Sequence, residues 1–171
     1  MVNKKICMMG GFAVGKTSLV ARYVHSVFSD AYLSTVGVKI SKKLVTVDGR
    51  EITMVLWDME GKDLYTTVNL AYLRGAMGFL LVADGTRLET LDVALELRET
   101  ALAGLGSDIP HCLLVNKADI MGQWEVSPER IHALKEQGIP LFCTSAKTGQ
   151  SIEEAFTVLA RRTLQGSARA G

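Results

Sequence analysis

The chain carries almost no excess of charge. Nineteen lysines and arginines against 18 aspartates and glutamates leave +1. Global charge therefore implies no polyanion partner, and no nucleic acid is expected. Cysteine is scarce and odd in number, at Cys7, Cys112 and Cys143. The spacings fit no metal site, and each cysteine lies in or beside an apolar run. Buried, reduced thiols in a cytosolic protein are expected rather than a disulfide framework. The N-terminus lacks the apolar core of a signal peptide, and the longest apolar stretches fall far below the ~20 residues of a membrane span. No myristoylation pattern opens the chain, and no cysteine follows Cys143. The chain as given thus offers no lipid anchor, and a cytoplasmic location is expected. Repeats, linkers and low-complexity stretches are also missing, so residues 1–171 read as one domain.

What remains is ordinary globular material. Apolar residues make up 48% of the chain and charged residues 22%, enough for a core and unlike a disordered sequence. A small basic group at the end, Arg161, Arg162 and Arg169, reads as a solvated face. Short apolar runs alternate with helical patterns. "KICMM" (Lys5 to Met9) predicts a buried strand, and "GKTSLVARYVHSV" a helix behind it. "GVKISKKLVTV" and "REITMVLWD" flank Asp48-Gly49, a dipeptide that supplies positive φ to a two-residue hairpin turn. Met77 to Asp84, His111 to Asn116 and Ile139 to Ser145 are continuous apolar runs, as in parallel strands buried on both faces. Leu88, Leu91, Leu95, Leu102 and Leu105 fall on one stripe of a helix. Ser127-Pro128 predicts an N-cap with proline at the first helical position. Ser151 with Glu154 has the capping-box spacing. Alternating strands and helices predict an α/β domain with a mostly parallel open sheet, whose ligand lies at the carboxyl ends of the strands.

The first of those ends reads "GGFAVGKT", Gly10 to Thr17, the G-x-x-x-x-G-K-[ST] pattern with a strand before it and a helix after it. Glycines let the backbone N–H groups of Gly11, Phe12, Ala13, Val14 and Gly15 turn inward around a phosphate chain, and the helix start adds its positive dipole end. Lys16 can reach the β- and γ-phosphates, Thr17 can ligate Mg²⁺, and Ser18 can touch the α-phosphate. Asp58, at a strand end, is a natural holder of that Mg²⁺. Gly61 can offer its N–H to a γ-phosphate.

Two further loops identify the base. "NKAD", Asn116 to Asp119, and "TSAK", Thr144 to Lys147, each follow an apolar strand. A carboxylate at Asp119 can accept both the N1–H and the 2-amino group of guanine, a pair that adenine lacks. A buried carboxylate left unpaired would penalise the wrong base. Lys117 can cover one face of the ring with its stem, and the Ala146 N–H can donate to the guanine oxygen. Ser145 and Lys147 complete that loop. Asn116 is placed to tie loops together rather than to touch the base. A P-loop kinase or ATPase is the competing reading, and "NKAD" argues against it.

With these motifs the chain resembles a Ras-superfamily small GTPase, most closely the Rab branch. The resemblance runs from "GFAVGKTSL" through "WDMEG" and "NKAD" to "TSAK", with "STVGVKI" and "AYLRGA" leaning towards Rab. It implies a P-loop G domain with a six-stranded sheet, the second strand antiparallel, flanked by five helices. It implies that GTP and GDP bind with Mg²⁺. It implies that Thr35 closes on Mg²⁺ and γ-phosphate, that Phe28 packs edge-on against guanine, and that Tyr32 lies over the phosphates. The resemblance also implies a monomer whose effectors, exchange factors and activating proteins meet residues about 30–40 and 59–74. Within that region Leu64, Tyr65 and Tyr72 are open to two readings, effector anchors or core residues.

The chain departs from the family pattern in two places. Where the family usually reads Asp-Thr-Ala-Gly-Gln, this chain reads Asp58-Met59-Glu60-Gly61-Lys62. The glutamine of that pattern orients the attacking water. A lysine has no acceptor and cannot do so, although it can place positive charge near the γ-phosphate. Phe12 occupies a loop position that is small in most of the family, where water and an inserted arginine need room. The expectation is a nucleotide-dependent switch with slow, partner-assisted hydrolysis. A GTP-binding module that hardly hydrolyses is the alternative.

Overall fold

A computed structural model describes residues 2–24, 31–33, 38–59 and 70–169. The chain runs β1 (Val2–Gly10), α1 (Lys16–Val24), β2 (Ala31–Leu33), β3 (Val38–Val47), β4 (Arg50–Met59), α2 (Leu70–Leu73), β5 (Gly78–Asp84), α3 (Leu88–Leu105), β6 (His111–Asn116), α4 (Pro128–Glu136), β7 (Leu141–Thr144) and α5 (Ile152–Arg169). A short 3₁₀ segment, Ala118–Gln123, follows β6.

The expected six strands lie in one sheet, and the three-residue β2 adds a seventh at its edge in the order β2-β3-β4-β1-β5-β6-β7. β3 and β4 pair antiparallel, while β4, β1, β5, β6 and β7 run parallel. The β3–β4 hairpin closes where Val47 faces Arg50, with φ of 50° at Asp48 and 75° at Gly49. That positive-φ pair is the one an Asp-Gly turn supplies.

The register places the functional ends side by side. Met8 pairs with Asp58, Gly10 with Val82, Asp84 with Asn116, and Asn116 with Thr144. Gly10 is required by close approach, because a Cβ there would lie 2.4 Å from the Val82 carbonyl oxygen.

Every residue of β5 and β6 is buried, as their unbroken apolar sequences demand. Two cores fill the faces. One packs Leu19, Val20 and Tyr23 of α1 and Ala155, Phe156 and Leu159 of α5 on the sheet. The other packs α2, α3 and α4 through residues such as Leu73, Leu91, Ala94 and Leu134. Tyr72 belongs to this second core at 5% exposure, so of its two readings the core one holds. Cys7 and Cys112 are free and buried, and burial pushes each thiol up to about 12, which keeps them protonated.

Two local expectations shift. The buried face of α3 is Thr90, Leu91, Ala94, Leu97 and Ala101. Leu95, Leu102 and Leu105 flank it half-buried, and Leu88 is 41% exposed. The small alanines let this helix approach the sheet closely, and that close packing outweighs the leucine stripe. Ser151 precedes α5 with φ of 57°, left-handed rather than the extended geometry of an N-cap. Ser127 caps α4 as its sequence predicts, accepting from the Arg130 N–H at 3.1 Å.

Candidate nucleotide site

The loop between β1 and α1 turns on Ala13, with φ of 57°, and Gly15, with φ of 102°. Gly15 cannot be larger, because a Cβ would stand 2.3 Å from Asn116 Nδ2. Lys16 folds back over the loop, and its ammonium donates to the carbonyls of Gly10 and Gly11 at 3.0 Å each. Burial pulls its pKa down and the Asp58 carboxylate pushes it up, with burial prevailing. A cation held at the mouth of a loop that precedes a helix start is suited to anionic oxygens.

Thr17 Oγ1 donates to Asp58 Oδ2 at 2.6 Å, and Asp58 is 1% exposed. A hydroxyl and a carboxylate oxygen meeting at the mouth of the loop form the hard-oxygen pair that Mg²⁺ prefers. No group of three or more His, Cys, Asp or Glu that could by itself hold a metal ion occurs among the described residues. The Thr17 and Asp58 oxygens fit a cation that takes its remaining ligands from phosphate and water.

The base end is organised around Asn116. Its Nδ2 donates to the Val14 carbonyl at 3.1 Å, and its Oδ1 accepts from Thr144 Oγ1 and from the Ala146 N–H, each at 3.3 Å. One side chain therefore joins the β1–α1, β6 and β7 loops. In this arrangement the Ala146 N–H is partnered by Asn116. Asp119 is exposed, and its Oδ1 accepts from Ser145 Oγ at 2.7 Å. That hydrogen bond, with the nearby Lys147 and Lys117 charges, holds its carboxyl below the usual range. Lys117 sits at φ of 74°, and its ammonium lies 2.7 Å from Asp84 Oδ2. An open cleft of about 380 Å³ is lined by Gly15, Ser18, Asn116, Lys117, Asp119, Ile120, Ala146 and Lys147. It falls within the size range of small-molecule sites.

The structure brings together Gly11 through Ser18, Asp58, Asn116, Lys117, Asp119 and Ser145 through Lys147. Phe28, Thr35, Glu60, Gly61, Lys62, Leu64 and Tyr65 lie outside the described residues, as does the side chain of Tyr32. Phe12 is 51% exposed, and its carbonyl accepts from Arg87 Nη2 at 2.8 Å.

Several residues of the site and its supports went unread in the sequence. Ile120 lines the cleft directly after Asp119. Asp84 is fully buried and receives Lys117, Thr86 and Arg87. Burial alone would raise its pKa, but the bonds from Lys117, Thr86 and Arg87 together bring it below the usual value. Its signal was available, since like Asp58 it ends an apolar strand. Trp124 donates its indole N–H to the Lys117 carbonyl at 2.8 Å and packs on Gly85, where a Cβ would stand 2.1 Å from its ring.

The sequence matches the Ras family over residues 5–165. The chain is a member of the Ras family. Within it the similarity is to the Rab branch. Ras-related protein Rab-13 of Canis lupus familiaris is 34% identical over 170 residues, covering 98% of this chain and 84% of the relative. Ras-related protein Rab-8B of Homo sapiens is 35% identical over 158 residues, 92% of this chain and 76% of the relative. Ras-related protein Rab-8 of Diplobatis ommata is 35% identical with 92% and 75% covered. Members of this family are small GTP-binding switch proteins with GTPase activity, and the P-loop G domain described above is theirs. No helix among the described residues is long and apolar enough to cross a membrane.

Proposed function

We propose that this Ras-family protein is a GTP/GDP switch whose binding and sensing parts are intact and whose hydrolytic step is slow without a partner. Guanine is read by Asp119, fixed by Ser145, with Lys117 along one face of the base and Asn116 holding the surrounding loops. The phosphates lie in the Gly11–Gly15 turn beneath Lys16. Thr17 and Asp58 hold Mg²⁺, which would neutralise phosphate charge. Thr35 and Gly61 close on the γ-phosphate, with Phe28 and Tyr32 at the base and phosphates. GTP thereby orders residues about 30–40 and 59–74 as the surface for effectors, exchange factors and activating proteins.

The observation that carries the slow step is one of sequence: Lys62 stands where the family usually has its water-orienting glutamine, and Phe12 where the phosphate loop is usually small. A lysine ammonium donates but accepts nothing, so it cannot accept a hydrogen bond from the attacking water and orient it. Losing one well-placed polar group of this kind costs ~10²–10³ in rate. The same pair favours the second reading, a GTP-binding module fixed in one state.

Single-turnover phosphate release from the GTP-loaded protein separates the two. Measurable release on the scale of about an hour or faster sinks the fixed-state reading, taking ~10²–10³ as the penalty. Lys62→Gln is expected to raise the rate. A rate left unchanged by that substitution would move the defect to Phe12 or Glu60. The nucleotide retained on purification, identified chromatographically, tests the base assignment, and ATP or ADP there would refute guanine.

A further inference from the structure

Asp84 and Arg87 belong to neither nucleotide motif, yet they connect the two. Asp84 Oδ2 takes the Lys117 ammonium at 2.7 Å and Arg87 Nε at 3.2 Å. Asp84 Oδ1 takes the Thr86 N–H at 2.9 Å and the Thr86 hydroxyl at 2.7 Å. The carboxylate is fully buried and every bond to it comes from a donor, so its geometry is fixed from four directions. Arg87, extended at the N-cap of α3, has a second nitrogen left to use. Its Nη2 donates to the Phe12 carbonyl oxygen at 2.8 Å. One planar fork therefore binds a buried carboxylate and the phosphate loop at once through two separate nitrogens held in a fixed plane, a geometry that the single nitrogen of an ammonium does not reproduce.

The peptide that Arg87 grips joins Phe12 to Ala13. In a trans peptide the carbonyl and the following N–H point in opposite directions. Arg87 on the Phe12 oxygen thus turns the Ala13 N–H away from itself. Ala13 sits at φ of 57°, a left-handed conformation costing ~1–2 kcal/mol in a non-glycine residue and needing something to hold it. A donor on the carbonyl also polarises the peptide and strengthens its N–H as a donor.

We propose that Arg87 is a positioning residue of the nucleotide site. Anchored by Asp84, it fixes the Phe12–Ala13 peptide so that the Ala13 N–H meets the phosphate chain, and it ties the phosphate loop to the base loop through Lys117. The inference rests on the nucleotide reading above and adds a residue to it.

The test compares wild type, Arg87→Ala and Arg87→Lys, each carrying the nucleotide it retains on purification. Asp84 keeps Lys117 and Thr86 in both variants, and Arg87 is 35% exposed, so folding is preserved; circular dichroism checks it. Dissociation of fluorescent GDP from Arg87→Ala is expected to be about tenfold faster, the size of one charged hydrogen bond. The Ala13 amide proton should move upfield, and the preference for GDP over ADP should stay within about twofold, since no base contact is touched. Arg87→Lys should resemble Arg87→Ala, because it keeps the charge and loses the fork.

Release and Ala13 shift unchanged in Arg87→Ala would overturn the proposal. So would Arg87→Lys behaving as wild type, which would make the effect one of charge alone. A collapse of the GDP preference would place Arg87's action on the base loop instead. If the retained nucleotide is ADP, the guanine reading fails, and the same comparison run on ADP still decides the role of Arg87.

Discussion

Replacing Gly85 by alanine should loosen the base loop from behind, without touching any residue that faces the nucleotide. Gly85 is buried at the end of β5, and a Cβ there would meet the Trp124 ring at 2.1, 2.3 and 2.6 Å. The obstacle is a rigid indole, so the ring must move. It is tied by the bond to the Lys117 carbonyl at 2.8 Å, and its neighbours Glu125 and Val126 donate to the Gly85 carbonyl at 2.9 and 3.1 Å. Overpacking costs about 1–3 kcal/mol, and losing the indole bond adds about 0.5–1.5 kcal/mol. At ~2–4 °C per kcal/mol for a domain of this size, the melting temperature should fall by roughly 3–18 °C. GDP release should quicken, because Lys117 loses its rear support. Trp124→Ala alone also destabilises, by removing a large half-buried ring. Combined with Gly85→Ala it should cost clearly less than the sum, since the clash no longer exists. Thermal melts and fluorescent GDP release on the four proteins provide the cycle. A Gly85→Ala protein that melts and releases GDP like wild type, or two effects that simply add, would refute the reasoning.

Asn116→Ala should weaken GDP binding by roughly 10- to 2000-fold, from three lost loop-tying hydrogen bonds at about 0.5–1.5 kcal/mol each. Equilibrium competition on the purified variant measures it. His111 predicts a pH dependence of stability. It is buried, stacked on Phe79, accepts from Arg98 Nε at 2.9 Å, and bonds the Ile109 carbonyl at 3.0 Å through its other nitrogen. Burial lowers its pKa, the Ile109 bond opposes that, and the Arg98 and Arg162 charges add to the lowering. The unfolded chain therefore binds the proton more readily. Stability is full above the ordinary value near 6.5 and falls as pH drops from there towards the lowered folded value, by about 1.4 kcal/mol for each unit of lowering. Melting curves from pH 7.5 to 5 should slope downward in wild type and flatten at that step in His111→Phe.

The parts of this site that the sequence discloses are those whose chemistry demands residues at fixed spacing. The Gly10–Thr17 loop, Asp58 at a strand end, and the "NKAD" and "TSAK" loops fall together at the sheet's carboxyl edge because parallel register aligns strand ends. The Asp48-Gly49 hairpin was legible for the same reason, since positive φ at two successive residues restricts the choice. The supports were less legible. Arg87 acts on a carbonyl 75 residues away and Trp124 on a backbone oxygen, and any donor of the right reach could serve either purpose. Gly85 reads as one more small residue until the ring above it is seen. The phase of α3 was misread because leucines advertise hydrophobicity more loudly than alanines. Close helix–sheet packing rewards the smaller side chain.

The position of Trp124 also has an optical consequence. The protein has two tryptophans, one next to Asp58 on β4 and one bonded to the loop that follows β6. Trp57 precedes the Asp58 carboxylate, with the Lys5 ammonium 3.7 Å from its ring, and Trp124 is bonded to the carbonyl of Lys117. Natural ultraviolet emission therefore comes from one lamp on the Asp58 strand and another behind the Lys117 loop. With Trp57→Phe, the remaining light reports the base loop alone, and occupancy of the cleft can be followed in real time with no label attached.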